Sequence, residues 1–291
     1  MNQFLKQLGK FFIIPIIAII LLNIVATFIL GNSSYYKIES HINEVYVGDS
    51  HIRQSVVDSL LINGQNIALN SESFYFTYYR LKKIFESKNN IKTVYLGFSY
   101  HSLSDYYDER IYGKFSNSIS PKYFYLLPFS EQVKIFYYNR EHNYLKKIIK
   151  NSIKPILNNS NFGGYSNNFV NTKSRKSSIE KRINFQYYTD KNLNEFSKIN
   201  LRYLEKIIAL SKKHKFDLII IKTPLDSYYK SKIPIEYINK YDDTIKKYNL
   251  NLIDFENLFI EESLFIPDGD HLSRIGSIKM TKELIKASPN P

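Results

Sequence analysis

A chain of 291 residues without a cysteine excludes disulfides and thiolate metal centres, and is long enough to bury a sizeable core. It carries 40 Lys and Arg against 27 Asp and Glu, a net charge of +13. The lysines are dispersed among Asn, Ile and Tyr along the whole chain, and no RNP, helix-turn-helix or finger pattern accompanies them. A solvated basic surface is therefore expected and a nucleic-acid partner is not, with attraction to acidic glycans or membrane headgroups as the secondary reading.

Phe11 to Leu30 (FFIIPIIAIILLNIVATFIL) is an uncharged stretch of twenty residues, about the length that spans a bilayer. It exceeds the apolar region of a signal peptide, and the Gly31-Asn32-Ser33-Ser34 that follows is a poor cleavage site. The expectation is one uncleaved transmembrane helix, in which Pro15 is tolerated. Lys6 and Lys10, with no acid beside them, place residues 1–10 in the cytoplasm and everything after Leu30 outside. Residues 31–43 then form a linker, and 44–291 an extracytoplasmic domain.

Within that domain the first strand is Glu44 to Gly48, a short apolar run ending at glycine. Ile52 to Leu61 has helical apolar spacing. Gln65 to Asn70 is expected as a second strand and Ser73 to Ser87 as a helix, whose Phe74, Tyr78 and Phe85 are core aromatics. Lys92 to Gly97 is the third strand. From about 105 to 190 the alternation breaks: a Tyr-rich stretch, a basic helix near Glu131 to Lys150 and an Asn/Ser/Gly loop from Asn158 to Ser178 are expected to form a helical insertion, a cap with a mobile loop. A helix from Asn192 to His214, a strand from Asp217 to Lys222, a helix from Ile235 to Tyr248, a strand from Leu250 to Phe255 and a helix from Ile275 to Lys286 complete the chain. Buried apolar strands alternating with helices predict an α/β doubly wound parallel sheet, with reactive groups beyond the carboxyl ends of its strands.

Two short motifs bear chemistry. Gly48-Asp49-Ser50-His51 follows the first strand, where a tight turn exposes a serine hydroxyl. Asp268-Gly269-Asp270-His271 follows the last strand and precedes the terminal helix. Serine needs a neighbouring base; His271 supplies one, and Asp268 can hold its other ring nitrogen. Taken singly, each motif is also an ordinary turn or a solvated acidic loop. His51 is expected to point away from Ser50, in a surface or capping role. His101 and Tyr100, just past the third strand, are candidate substrate contacts. No His-x-His or His-Glu-x-x-His spacing supports a metal among His51, His101 and His271, and no cofactor is expected.

This order of motifs resembles the SGNH, or GDSL-type, hydrolase superfamily, over about Glu44 to Ala287. The resemblance implies a three-layer flavodoxin-like parallel sheet, with Ser50 as nucleophile, His271 as general base and Asp268 as its orienter. It also implies an oxyanion hole from the Ser50 amide, a second-block amide near Asn70 or Ser71, and a third-block side chain. Here the second block lacks the family's Gly and the third carries Ser99 where the family has Asn. With the membrane anchor, the chain resembles a branch that partners multi-span membrane-bound O-acyltransferases in modifying cell-surface polymers. The implied activity is a serine O-acyltransferase or O-acyl esterase, with acetyl as the expected group, acting on a cell-surface polysaccharide. The alternative is an inert descendant serving as a glycan-binding or assembly subunit, which the altered third block and Tyr-rich stretches favour.

Overall fold

The computed structural model of the chain describes residues 37–139, 143–157, 163–167 and 175–288, together with helical residues between 9 and 29. Part of Phe11 to Leu30 lies outside the described residues; those that are described, among them the run 23–29, are helical. No helix among the described residues is long and apolar enough to cross a membrane.

Strands β1 (Glu44–Val47), β2 (Gly64–Asn66), β3 (Thr93–Gly97), β6 (Asp217–Lys222) and β7 (Asn251–Asp254) form one sheet in the order β2-β1-β3-β6-β7. All its pairings are parallel. A separate antiparallel pair, β4 (Tyr188–Thr189) and β5 (Asn192–Leu193), lies between β3 and β6 in sequence. The longer helices are α1 (Ser50–Ser55), α2 (Phe74–Glu86), α3 (Phe129–Tyr138), α4 (Tyr144–Leu157), α5 (Arg175–Tyr187), α6 (Lys198–His214), α7 (Ile235–Tyr248) and α8 (Arg274–Ala287).

Side-chain alternation along the strands divides the core in two. Val45, Val47, Val94, Leu96 and Ile220 pack with Phe74, Leu81, Leu204 and Ile207 of α2 and α6 on one face. Tyr46, Tyr95, Ile219 and Ile221 pack with Ile52 of α1 and Met280 and Leu284 of α8 on the other. The sheet is thus covered on both sides, as the continuous apolar strands require. Counted within the main sheet the strand order is 2-1-3-4-5, consistent with a flavodoxin-like arrangement.

Several expected elements differ in extent. The helix expected over Ile52 to Leu61 is instead α1, Ser50–Ser55, followed by a single 3-10 turn, Asp58–Leu60. The Asn66 amide donates to the carbonyls of Ile52 (3.1 Å) and Val56 (2.7 Å), while the Val57 N–H donates to Thr281 Oγ1 (3.0 Å). Those side chains take over backbone groups that a longer helix would have paired. The second strand is regular only over Gly64–Asn66, not to Asn70: Asn66 Oδ1 accepts the Ala68 N–H (2.9 Å), while the Ile67 and Leu69 N–H groups still donate to the Tyr46 (2.9 Å) and Gly48 (3.1 Å) carbonyls of the first strand's end.

The helix expected near Glu131 to Lys150 is two, α3 and α4, and α3 stops where Asn139 Nδ2 donates to the Ile135 carbonyl (2.8 Å). The helix expected from Asn192 begins at Lys198, because Ser197 caps it by accepting from the Asn200 N–H (2.8 Å). Residues 192–193 pair as β5 instead. Of the expected loop from Asn158 to Ser178, residues 175–178 already belong to α5. Residues 163–167 are hydrogen-bonded to the α1 region: Arg53 Nε donates to the Gly164 carbonyl (3.2 Å) and the Tyr165 N–H to Asp58 (2.7 Å). The remainder of that loop lies outside the described residues.

Candidate active site

The site starts from the end of β1. Gly48 has φ +134°, and a Cβ there would meet the Gly97 backbone at 3.3 Å. Glycine therefore satisfies both the turn and the close approach of β3. Asp49 then caps α1, its Oδ1 accepting from the His51 N–H at 2.9 Å, which makes Ser50 the first helical residue. The Ser50 hydroxyl is consequently presented beyond the carboxyl edge of the sheet.

The last loop closes over that edge. Asp268 Oδ1 accepts from the N–H groups of Asp270 (3.0 Å) and His271 (3.1 Å), folding the loop on itself, with Gly269 at φ +70°. The other carboxylate oxygen lies 2.7 Å from His271 Nδ1, and His271 Nε2 lies 2.8 Å from Ser50 Oγ. A spacing of three residues suffices because one aspartate serves both as loop cap and as histidine partner. Acceptance at Asp268 fixes the proton on Nδ1, leaving Nε2 to accept from the serine. Burial would raise the Asp268 pKa, but His271 and Arg182 outweigh it and hold the carboxylate below its ordinary value.

Beneath this relay lies a second buried layer. His51, expected at the surface or in a cap, is 1 % exposed. Its ring packs inside the site, 4.8 Å from that of His271. Nδ1 lies 3.0 Å from Thr223 Oγ1, just past β6, and Nε2 lies 3.0 Å from Asp270 Oδ1. Asp270 also receives Arg182 Nε (2.5 Å) and Gln186 Nε2 (2.8 Å) from α5, and the Tyr229 hydroxyl donates to Gln186. Burial opposes charge on His51, yet Asp270 and Asp49 raise its pKa above the ordinary value. Asp270 is held well below its ordinary value against burial, chiefly by His51 and Arg182. A His51 imidazolium between carboxylates is the consistent charge state.

His101 is also buried, with Nε2 2.8 Å from Asp49 Oδ2, its ring 4.3 Å from that of His51. Burial and then His51 lower its pKa, so neutral His101 donates from Nε2 to Asp49. The Tyr107 hydroxyl donates to the same oxygen. Burial would raise the Asp49 pKa, but His51 and the two donors keep it far below normal.

The other expected site residues are placed differently. Tyr100, expected to contact substrate, is buried with its hydroxyl accepting from Lys222 Nζ (2.6 Å) and donating to Glu256 (2.6 Å). Ser71 occupies the left-handed region (φ +66°) at the turn after β2. That turn is braced by buried Glu72, which accepts from Arg80 (2.8 Å), Thr77 (2.8 Å) and Tyr123 (3.0 Å). Ser99 follows β3, where its side chain and that of Ser102 form a reciprocal capping box. Neither Ser71 nor Ser99 is hydrogen-bonded to Ser50 or His271 among the described residues.

Two groups could gather donors around a cation: Asp49, His51 and His101, and His51, Asp270 and His271, each within 4.8 Å. Their donor types suit a divalent metal. In both, however, the imidazoles already face carboxylates, and the Arg182 guanidinium sits on Asp270, which a cation would have to displace. A charge network fits these contacts better. Residue spacing does not disclose Arg182, Gln186 or Thr223; the one available signal was the second aspartate of Asp-Gly-Asp-His, which needs a cation when buried.

No family model and no curated protein matches the chain. A solved structure from Streptococcus pneumonia, provisionally described as a platelet activating factor, aligns with 91% of this chain and 90% of its own. The two are 10% identical with a TM-score of 0.43, too distant a likeness to carry an argument about function.

Proposed function

We propose that this chain is a membrane-anchored serine enzyme of the SGNH type that transfers or removes an O-acyl group, acetyl in the first instance, on a cell-surface polysaccharide. The observation that carries the reading is the continuous Ser50–His271–Asp268 relay, with contacts of 2.8 and 2.7 Å.

In this mechanism Ser50 Oγ bonds to the acyl carbon as His271 Nε2 takes the hydroxyl proton, and the carbonyl electron pair moves onto oxygen. Asp268 stabilises the resulting imidazolium. Collapse of the tetrahedral intermediate breaks the ester bond, and the leaving alkoxide takes the proton from His271. Water or a sugar hydroxyl then attacks the acyl-serine by the reverse sequence. The Ser50 amide, the Ser71 amide and the Ser99 hydroxyl are the assigned oxyanion donors. Loss of one such donor costs about 3–4 kcal/mol in comparable sites.

Release of p-nitrophenol from its acetate ester, with mass-spectrometric trapping of an acyl group on Ser50, tests the reading. Turnover unchanged in Ser50→Ala would refute it. Co-purification with a multi-span membrane protein and transfer to a glycan would favour the transferase over the esterase.

The non-catalytic reading, a glycan-binding or assembly subunit, draws on Ser99. Its side chain is engaged in a capping box where the family's oxyanion asparagine is expected.

A further inference from the structure

Outside the insertion, large apolar side chains exposed on the domain stand singly, as Ile62, Ile235, Ile260 and Ile275 do, which is ordinary for a protein surface. The insertion is different. On α3, Phe129, Val133 and Phe136 follow one another at spacings of four and three residues, and each is at least 49% exposed. On α4, Leu145 (55%) and Ile149 (48%) repeat the pattern four residues apart. The rings of Phe136 and buried Tyr144 lie 6.1 Å apart, so the two helices adjoin at this point.

The helices bearing this face are firmly seated. Buried Ile135 and Gln132 anchor α3, and Glu131 accepts from the hydroxyls of Tyr75 and Tyr112 at 2.8 Å each. Tyr144 anchors α4 through a 2.6 Å bond with Ser120. The exposed face is thus a fixed feature of the fold and not a consequence of fraying.

Two observations identify what covers it. The first is charge. Lys134 stands on α3, and Lys146, Lys147 and Lys150 on α4, while Glu131, the one acid in the two helical segments, is turned inward. An apolar stripe bordered by lysines suits an interface with anionic headgroups. The second is continuity. The start of α3 and the apolar N-terminal helix together line a groove of about 660 Å³, with Leu127, Pro128 and Phe129 on one side and Ile20, Ile24 and Phe28 on the other. The residues expected within the bilayer therefore adjoin the apolar face of the insertion.

We propose that the α3–α4 face docks on the surface of an anionic bilayer, sinking Phe129, Val133 and Phe136 to the level of the headgroup–acyl boundary. The proposal rests on the reading of Phe11 to Leu30 as an anchor, and adds to it a second, peripheral contact that fixes how the domain stands on the membrane. The same insertion supplies Tyr107, whose hydroxyl donates to Asp49, so this contact would also set the height and tilt of the serine site above the lipid.

The chain contains no tryptophan, which makes a single reporter clean. The full-length chain is reconstituted with Phe136→Trp, Phe129→Trp or, as a control, Ile260→Trp, into vesicles of phosphatidylglycerol brominated on its acyl chains. The expected result is quenching by about twofold or more and blue-shifted emission for the first two reporters, as for a helix lying about 5–10 Å into the interface. The control stays unquenched, and quenching weakens in zwitterionic vesicles. Carbonate extraction reports the anchor separately. Vesicle-bound protein whose α3 reporters remain unquenched overturns the docking face and leaves the anchor intact. Blue-shifted but unquenched reporters assign the face to a protein partner and overturn it equally. Protein that never enters the vesicles overturns both readings.

Discussion

The rings of His51 and His271 lie 4.8 Å apart, and each faces a different aspartate of the same tetrapeptide: His51 meets Asp270 and His271 meets Asp268. The two short motifs are therefore interlocked. One connection joins Ser50 to His271 for chemistry, and the other joins the neighbouring His51 to Asp270 for position. The second pair holds α1 and the last loop at the spacing that the first requires.

Removing one member of that buried pair leaves the other without its counter-charge. Asp270→Asn should lower stability by about 3 kcal/mol or more, the usual consequence of breaking a buried ion pair. Thermal unfolding checks this. A His51→Gln/Asp270→Asn double variant should recover part of the loss, and strict additivity of the two single effects would contradict the pairing.

The raised His51 pKa fixes the sign of a pH effect. Its stabilising contribution is fully present below the unfolded value of 6.5 and is lost as pH rises through the higher folded value. Asp49 and Asp270, whose pKa values are lowered, contribute above the ordinary carboxylate range and lose that contribution under strong acid. Denaturant midpoints measured across pH should therefore decline on the alkaline side in the parent, and His51→Gln should flatten that decline.

Glu72 acts in the opposite sense from Asp49 and Asp270. Burial pushes its pKa up from 4.5 to about 7, against the pull of Arg80. Its contribution is greatest below 4.5 and is lost as pH rises toward and through about 7. Glu72→Gln should reduce the pH slope of stability between those limits, and an unchanged slope would refute the assignment.

Gly97 offers a steric test of the strand-end packing. A Cβ at this position would fall 2.3 Å from Ile52 Cγ1, forcing α1 away from β3. Gly97→Ala should cost about 1–3 kcal/mol and also reduce turnover, because Ser50 moves with α1. Substituting Ile52→Val in the same background should restore part of both.

The core of the fold is legible from short patterns. β1, β3 and β6 are continuous apolar runs, and α7 matches its periodic stretch from Ile235 to Tyr248. The errors arise where distant side chains intervene. Val56, Leu60 and Leu61 continue the period of α1, yet Asn66 and Thr281 take the backbone groups that continuation needs. The site shows the same division. Local turn chemistry singles out Ser50, Asp268 and His271, which the structure brings into hydrogen-bond contact. His51 is buried and Arg182 joins the site because of partners from remote segments, which residue spacing does not disclose; only the second aspartate of Asp-Gly-Asp-His hints at a buried cation. Tyr100 sits beside the right strand end but points into the Lys222–Glu256 pair.

Asp268→Asn separates catalysis from folding. The amide can still accept the loop N–H groups while presenting the wrong partner to His271 Nδ1. Turnover of an acetyl ester should fall by about 10⁴-fold, as when comparable orienting aspartates are replaced, with the melting temperature little changed.

The most direct test of the central claim is covalent labelling of the purified full-length protein with a fluorophosphonate, beside Ser50→Ala and His271→Ala. An activated serine predicts labelling of the parent, with the adduct on Ser50, and none in either variant. A folded parent that stays unlabelled, or labelling that persists without Ser50, would contradict the account and move the non-catalytic glycan-binding reading ahead of it.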